Sequence, residues 1–362
     1  MSNITRALLQ RHLSRRGFLV RSSQAAIAAY ASTYAGGAFA ADVQEITFLN
    51  YGGLYGDNQR KAMIDPFTAA TGIKVQTPSG PDAIATLVGE TKQANASTDV
   101  IALSDVQMVT AIAQGGLLAQ INPSNVPNAA DLADGAKSAP YSYNVEFDPW
   151  GILYRTDKMD KPTSWKAIFE PKDASRVAFV RPSADSGSLL SMIAASVIAG
   201  GTEDDVLTKG VPVIKALREK GAQFVDYGAG LSLIQNDGAD IGTFYNNETF
   251  AMADQGLPVD FAFPQEGVFP IGVWLGMPAN ITPGRKAVAE KFINWMLSPD
   301  PQIAMAKLMY SGPTNKKADV GDALRNKVLS AQTMDRAYKL DLQKVAKLQD
   351  SWMEAWNKEI AG

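Results

Sequence analysis

Short apolar runs alternate with stretches of helical period along most of the chain. Ile46 to Leu49 reads as a strand. Asp57 to Ala70 follows as a helix, with Ala62, Met63, Phe67 and Ala70 on one face, ended by Thr71-Gly72. The spacing then predicts a strand at Ile73–Val75, a helix at Ile84–Gln93, a buried strand at Asp99–Leu103, and a helix at Val106–Gln114 stopped by Gly115-Gly116. A Pro/Asn/Ser-rich stretch, 122–142, reads as a long connection. The alternation resumes with strands at Gly151–Tyr154, Val177–Val180, Phe224–Asp226, Asp240–Phe244, Val259–Phe263 and Val273–Met277. Helices are expected at Leu189–Ala199, Val211–Lys220, Leu231–Asn236, Glu248–Gln255, Arg285–Leu297 and Pro301–Leu308, and along the tail from Ala331 to Ala361. Such alternation predicts parallel strands with helices on both faces, in two α/β units. Ligands of such sheets bind beyond the carboxyl ends of the strands, so residues just after strands carry the interest.

Residues 1–40 stand outside this pattern. They hold Arg6, Arg11, Arg15, Arg16 and Arg21, no acid, an Ala-rich apolar segment from Ala25, and the small-x-small sequence Ala38-Phe39-Ala40. That is the form of an export signal. Ser14-Arg15-Arg16-Gly17-Phe18-Leu19 resembles the twin-arginine motif, and the chain has no cysteine for a lipid anchor. The expected product is a free periplasmic protein exported already folded. Removing the leader leaves 29 basic and 37 acidic residues, a net charge of about −8. It also removes His12, the only histidine. A mature chain without imidazole or thiol has no Ser-His-Asp or Cys-His machinery, no zinc site of those ligands and no disulfide. Its acidity and lack of basic runs argue against nucleic acid. No later apolar run reaches the ~18 residues of a membrane span. No motif calls for a cofactor.

Four stretches, in order along the chain, carry a resemblance. They are Asn50-Tyr51-Gly52-Gly53 leading into Pro66 to Val75; Asp99-Val100-Ile101-Ala102 through Gly115-Gly116-Leu117-Leu118; Trp150 to Tyr154 with Pro162-Thr163-Ser164-Trp165; and Phe292 to Pro299. Together they resemble the periplasmic solute-binding proteins of ABC importers, most closely the spermidine/putrescine-binding group. The resemblance implies an α/β fold of two lobes with central mixed sheets joined by hinge strands, of the type II periplasmic-binding-protein kind. It implies lobe I from 41–142 plus 272–312 and lobe II from 143–271 plus 313–362. It further implies a monomer that delivers a small amine-bearing solute, polyamine or amino-acid-like, to a membrane permease without chemistry. A ferric-ion binder on the same fold is the alternative, although the chain has no adjacent tyrosines. An exported hydrolase using a carboxylate pair is a more distant one.

By that resemblance Tyr51 and Tyr55 match an aromatic pair after the first strand, Ser104 a serine after the third, and Tyr245-Asn246 the aromatic loop of the group. The group's carboxylate near the second hinge strand falls on Gly272, within Phe269-Pro270-Ile271-Gly272-Val273. Glu248 and Asp185 are the candidates to replace it. The candidate ligand-binding set is therefore Tyr51, Gly52, Tyr55, Ser104, Asp185, Ser186, Tyr245, Asn246, Glu248 and Phe269. A protonated amine entering a cleft loses hydration, and aromatic faces give back ~0.5–2 kcal/mol each. Several candidates also have ordinary structural readings. Ser104 or Asp105 suits an N-cap, Asp185 to Ser188 a cap or anion nest, and Glu248 a helix first turn. Trp150 and Trp274 suit a core.

Overall fold

The computed structural model describes residues 43–361 apart from Pro81 and Asp185. The readings on residues 1–40 and on Asp185 lie outside the described residues. Eleven strands are described: β1 Glu45–Leu49, β2 Lys74–Gln76, β3 Val100–Leu103, β4 Lys137–Ser138, β5 Ser142–Arg155, β6 Val177–Val180, β7 Gln223–Val225, β8 Ile241–Tyr245, β9 Val259–Ala262, β10 Phe269–Gly276 and β11 Gly312–Pro313. They join in one mixed sheet of order β2-β1-β3-β10-β5-β8-β6-β7, with β4, β9 and β11 also pairing with β5. The parallel pairing expected from the alternation holds at both ends, between β1 and β2 or β3, and between β6 and β7 or β8. The middle is antiparallel, where β10 runs between β3 and β5 and where β5 meets β8.

Two apolar cores explain why these two strands lie in the middle. The first gathers Ile46, Phe48, Met63 and Phe67 against Phe292 and Trp295. The Phe292 ring meets Phe48 and Phe67 edge-on at 5.4 and 5.0 Å. Each such buried ring contributes about 1.5–3 kcal/mol. The second core gathers Trp150, Trp165, Ile193, Phe244 and Trp356. Along β5, Tyr143, Val145 and Phe147 belong to the first core, and Trp150, Ile152 and Tyr154 to the second. Along β10 the order reverses, Phe269 and Ile271 packing with the second core and Val273 and Leu275 with the first. Both strands therefore cross from one lobe to the other. Among the described residues, no helix is long and apolar enough to cross a membrane.

Three expectations are corrected. The strand placed at Gly151 begins nine residues earlier, at Ser142, directly where the Pro/Asn/Ser-rich stretch ends. The strand placed at Val273 begins at Phe269. The tail is not helical from Ala331. Tyr338 and Arg336 instead pair with Val268 at the start of β10, and the helix opens only at Leu342, where the Asp341 carboxylate accepts the N–H groups of Gln343 and Lys344.

Candidate functional site

From Ser142 to Asp148 the sequence alternates polar and apolar without a break: Ser142, Asn144, Glu146 and Asp148 on one side, Tyr143, Val145 and Phe147 on the other. A strand puts alternate side chains on one face. Polar positions of that kind ordinarily meet water. Here Ser142, Asn144 and Glu146 are buried, Glu146 at 1% exposure. The Tyr55 hydroxyl donates to Glu146 Oε1 at 2.5 Å, while Oε2 is buried with no partner. Asp148 Oδ1 is likewise buried and unmatched, and Ser311 lies beside both carboxylates. Burial pushes Glu146 well above the usual carboxylate range, and repulsion from Asp148 adds to it. Burial raises Asp148 to about 6.

The parallel strands of the second lobe end beside this row. Tyr245 closes β8 and leads into the helix Asn246–Asp254; its hydroxyl accepts the Gly187 N–H at 3.0 Å, at the start of the helix Gly187–Ile198. The Trp150 ring meets Tyr245 edge-on at 4.9 Å and is fixed by donating from Nε1 to Ser191 Oγ at 2.9 Å. Tyr227 stands 6.1 Å from Tyr245, centroid to centroid. Glu248 sits in the first turn after Tyr245, where the helix dipole suits an acid. Its Oε2 is nevertheless buried and unmatched, with the Tyr227 hydroxyl alongside, and burial raises it to about 7. Trp150, Tyr227, Tyr245 and Glu248 line a cavity of about 760 Å³ within the second lobe, which Arg181, Arg218 and Asp226 also line.

The first lobe presents its own strand ends. Asn50, just past β1, donates from Nδ2 to Gln59 and accepts the Tyr51 N–H, which sets the turn. Gly52 adopts φ 73°, and a side chain there would fall 2.9 Å from Ser79 Cβ. The turn carries Tyr51, 47% exposed, edge-on to Tyr55 at 5.9 Å. Past β3, Ser104 caps the helix Asp105–Gln114 in a reciprocal box with Gln107. It also borders a small interlobe cavity, of about 30 Å³, together with Asp105 and Ser186. Ser186 bonds within its own turn, to Ser183 O and Ser188 Oγ.

Of the predicted residues, Tyr55 bonds the polar row at Glu146 and Tyr51 packs on Tyr55; the Asp148 charge bears on Tyr245 and Glu248; and Ser104 and Ser186 border the small interlobe cavity. Two are set apart by their contacts. Asn246 is fully buried and ties Tyr310 O and Lys327 O through Nδ2. Phe269, 1% exposed, packs between Trp165 and Tyr338. Glu146 and Asp148 escaped the sequence reading, and Tyr227, noted there only as a residue just after a strand, was not in the candidate set. The alternation over 142–148 was the signal for the first two.

The polar row rides on β5, one of the two strands that join the lobes, with the ends of strands from both lobes around it. A family profile of bacterial extracellular solute-binding proteins matches residues 62–331. The chain belongs to this family. A curated relative, spermidine/putrescine-binding periplasmic protein 1 of Haemophilus influenzae, is 27% identical over 251 residues, 65% of this chain; the chain spans 66% of that relative. Solved structures share the fold. One from Bordetella parapertussis, described as a candidate extracellular solute-binding protein, has a TM-score of 0.77 at 23% identity, over 89% of this chain and 100% of that one. The Atu4243–GABA receptor has a TM-score of 0.72 at 22% identity, over 86% and 96%. AgtB from A. tumefaciens R10, in complex with agropinic acid, has a TM-score of 0.66 at 21% identity, over 88% and 99%. The family is one of solute-binding proteins, not of enzymes.

Proposed function

We propose that this solute-binding protein is the periplasmic component of an ABC importer, and that its solute carries more than one ammonium group. One observation carries the second part. Glu146, Asp148 and Glu248 each hold a buried oxygen with no partner, and none of them joins the ion pairs of the described residues. Buried charges are ordinarily paired. Burial raises the pKa of all three groups, and an ammonium entering the cleft would supply the missing partner. The rings of Tyr51, Tyr55, Trp150, Tyr227 and Tyr245 offer cation–π faces around it.

The two lobes close about β5 and β10 on the bound solute and present a joint surface to the permease. In this reading the twin-arginine leader directs export and the protein acts as a monomer. Lobe I comprises 41–142 with 272–312, and lobe II 143–271 with 313–362.

Isothermal titration of the chain lacking residues 1–40 tests the ligand class. Putrescine and spermidine are expected to bind near micromolar, about −8 kcal/mol. Butylamine, with one charge, is expected to bind at least tenfold more weakly, and an uncharged diol not at all. Equal affinity for butylamine and putrescine, or preference for an anion, sinks the reading.

A further inference from the structure

Asp105 opens the helix Asp105–Gln114, but Ser104 already caps that helix. The Asp105 carboxylate is turned instead onto β10, where the side chain is 9% exposed. Its Oδ2 accepts the Gly272 N–H at 3.0 Å, and its Oδ1 accepts the Trp274 Nε1–H at 2.7 Å. No cation pairs with it among the described residues. A carboxylate offers about four lone-pair positions, so these two bonds leave capacity for another donor.

The space it occupies exists because residue 272 has no side chain. A Cβ there would lie 2.5 Å from Asn144 Nδ2, 2.8 Å from Trp274 Nε1 and 2.9 Å from Asp105 Oδ1. Asn144 is the first buried neighbour of Glu146 in the polar row of β5, so the Asp105 carboxylate overhangs the same pair of strands as Glu146 and Asp148. Its charge bears on the Tyr245 hydroxyl. It also borders the interlobe cavity shared with Ser104 and Ser186.

We propose that Asp105 is a ligand-binding carboxylate of the cleft and that Gly272 is the residue that makes room for it. The proposal rests on the cationic solute inferred above. Asp105 acts from lobe I as Glu248 acts from lobe II, so a solute with two ammonium groups is gripped from both sides. The lone-pair positions left by Gly272 and Trp274 are the ones it offers.

Asp105→Asn keeps the shape and removes the charge. A charge-assisted hydrogen bond corresponds to roughly a 10–100-fold change in affinity. Calorimetry should show putrescine binding weakened by about that factor, and butylamine, held at the other carboxylates, changed less than about threefold. Gly272→Ala should produce the same selective loss without touching a charge, and Gly272→Asp combined with Asp105→Ala should restore part of the putrescine affinity. Near-UV circular dichroism of each ligand-free variant checks the fold; if Gly272→Ala does not fold, Asp105→Asn decides alone. Unchanged putrescine affinity in Asp105→Asn overturns the proposal. Equal losses for both amines overturn it too, because they mean that Asp105 merely positions β10. A wild-type protein that binds neither amine instead overturns the cationic reading, and this inference with it.

Discussion

Tyr245 shows how much one side chain holds. Its ring walls the cavity beside Trp150, and its hydroxyl fastens the start of the helix Gly187–Ile198. Tyr245→Ala should weaken binding at least tenfold, with calorimetry as the measure, while the ligand-free fold persists. Unchanged affinity would place Tyr245 outside the site. The carboxylates make a second residue-scale prediction. Glu248 near 7 and Asp148 near 6 lie above their unfolded values of about 4. The folded chain therefore binds more protons than the unfolded one between roughly pH 4.5 and 7. Their contribution to stability is fully present below that window and is lost as pH rises through it. The Tm of the ligand-free protein should fall from roughly pH 4.5 to 7 because of these groups. The ligand-induced rise in Tm should grow over the same range, since an ammonium prefers the ionised carboxylates. A ligand shift that does not vary with pH would exclude these groups from binding.

Elements were legible where one of their faces was apolar. The helical stretch from Gly53 to Thr71 and the strands β1, β3, β6 and β8 fall close to their predicted places, because each presents an apolar side to one core. β5 failed the same test for a physical reason. Its first half buries a polar face, so its composition resembles a loop although its period is that of a strand. The site residues Glu146 and Asp148 were lost with it. Tyr51, Tyr55, Tyr245 and Glu248 were recoverable because strand ends announce themselves. Asp105 was not, because nothing in a linear sequence shows that Gly272 opens the space above it. One tie between elements also bears testing. Asp99, fully buried, is held by the Arg285 guanidinium and accepts the Thr47 N–H at 2.7 Å, fastening the helix Pro283–Met296 to β1 and β3. Arg285→Met leaves that charge uncompensated and should cost about 3–5 kcal/mol in urea unfolding. A loss under 1 kcal/mol would show that the pair is dispensable.

At the scale of the whole molecule, the sheet runs unbroken through both lobes, and β5 and β10 are its middle. Glu146 and Asp148 do not sit on loops; they ride on β5, one of the two strands about which we propose that the lobes close. On that proposal, sensing and bending belong to one piece of backbone. A guest that draws its acidic hosts together tugs directly on the spring, and no relay through distant parts is needed to report that it has arrived.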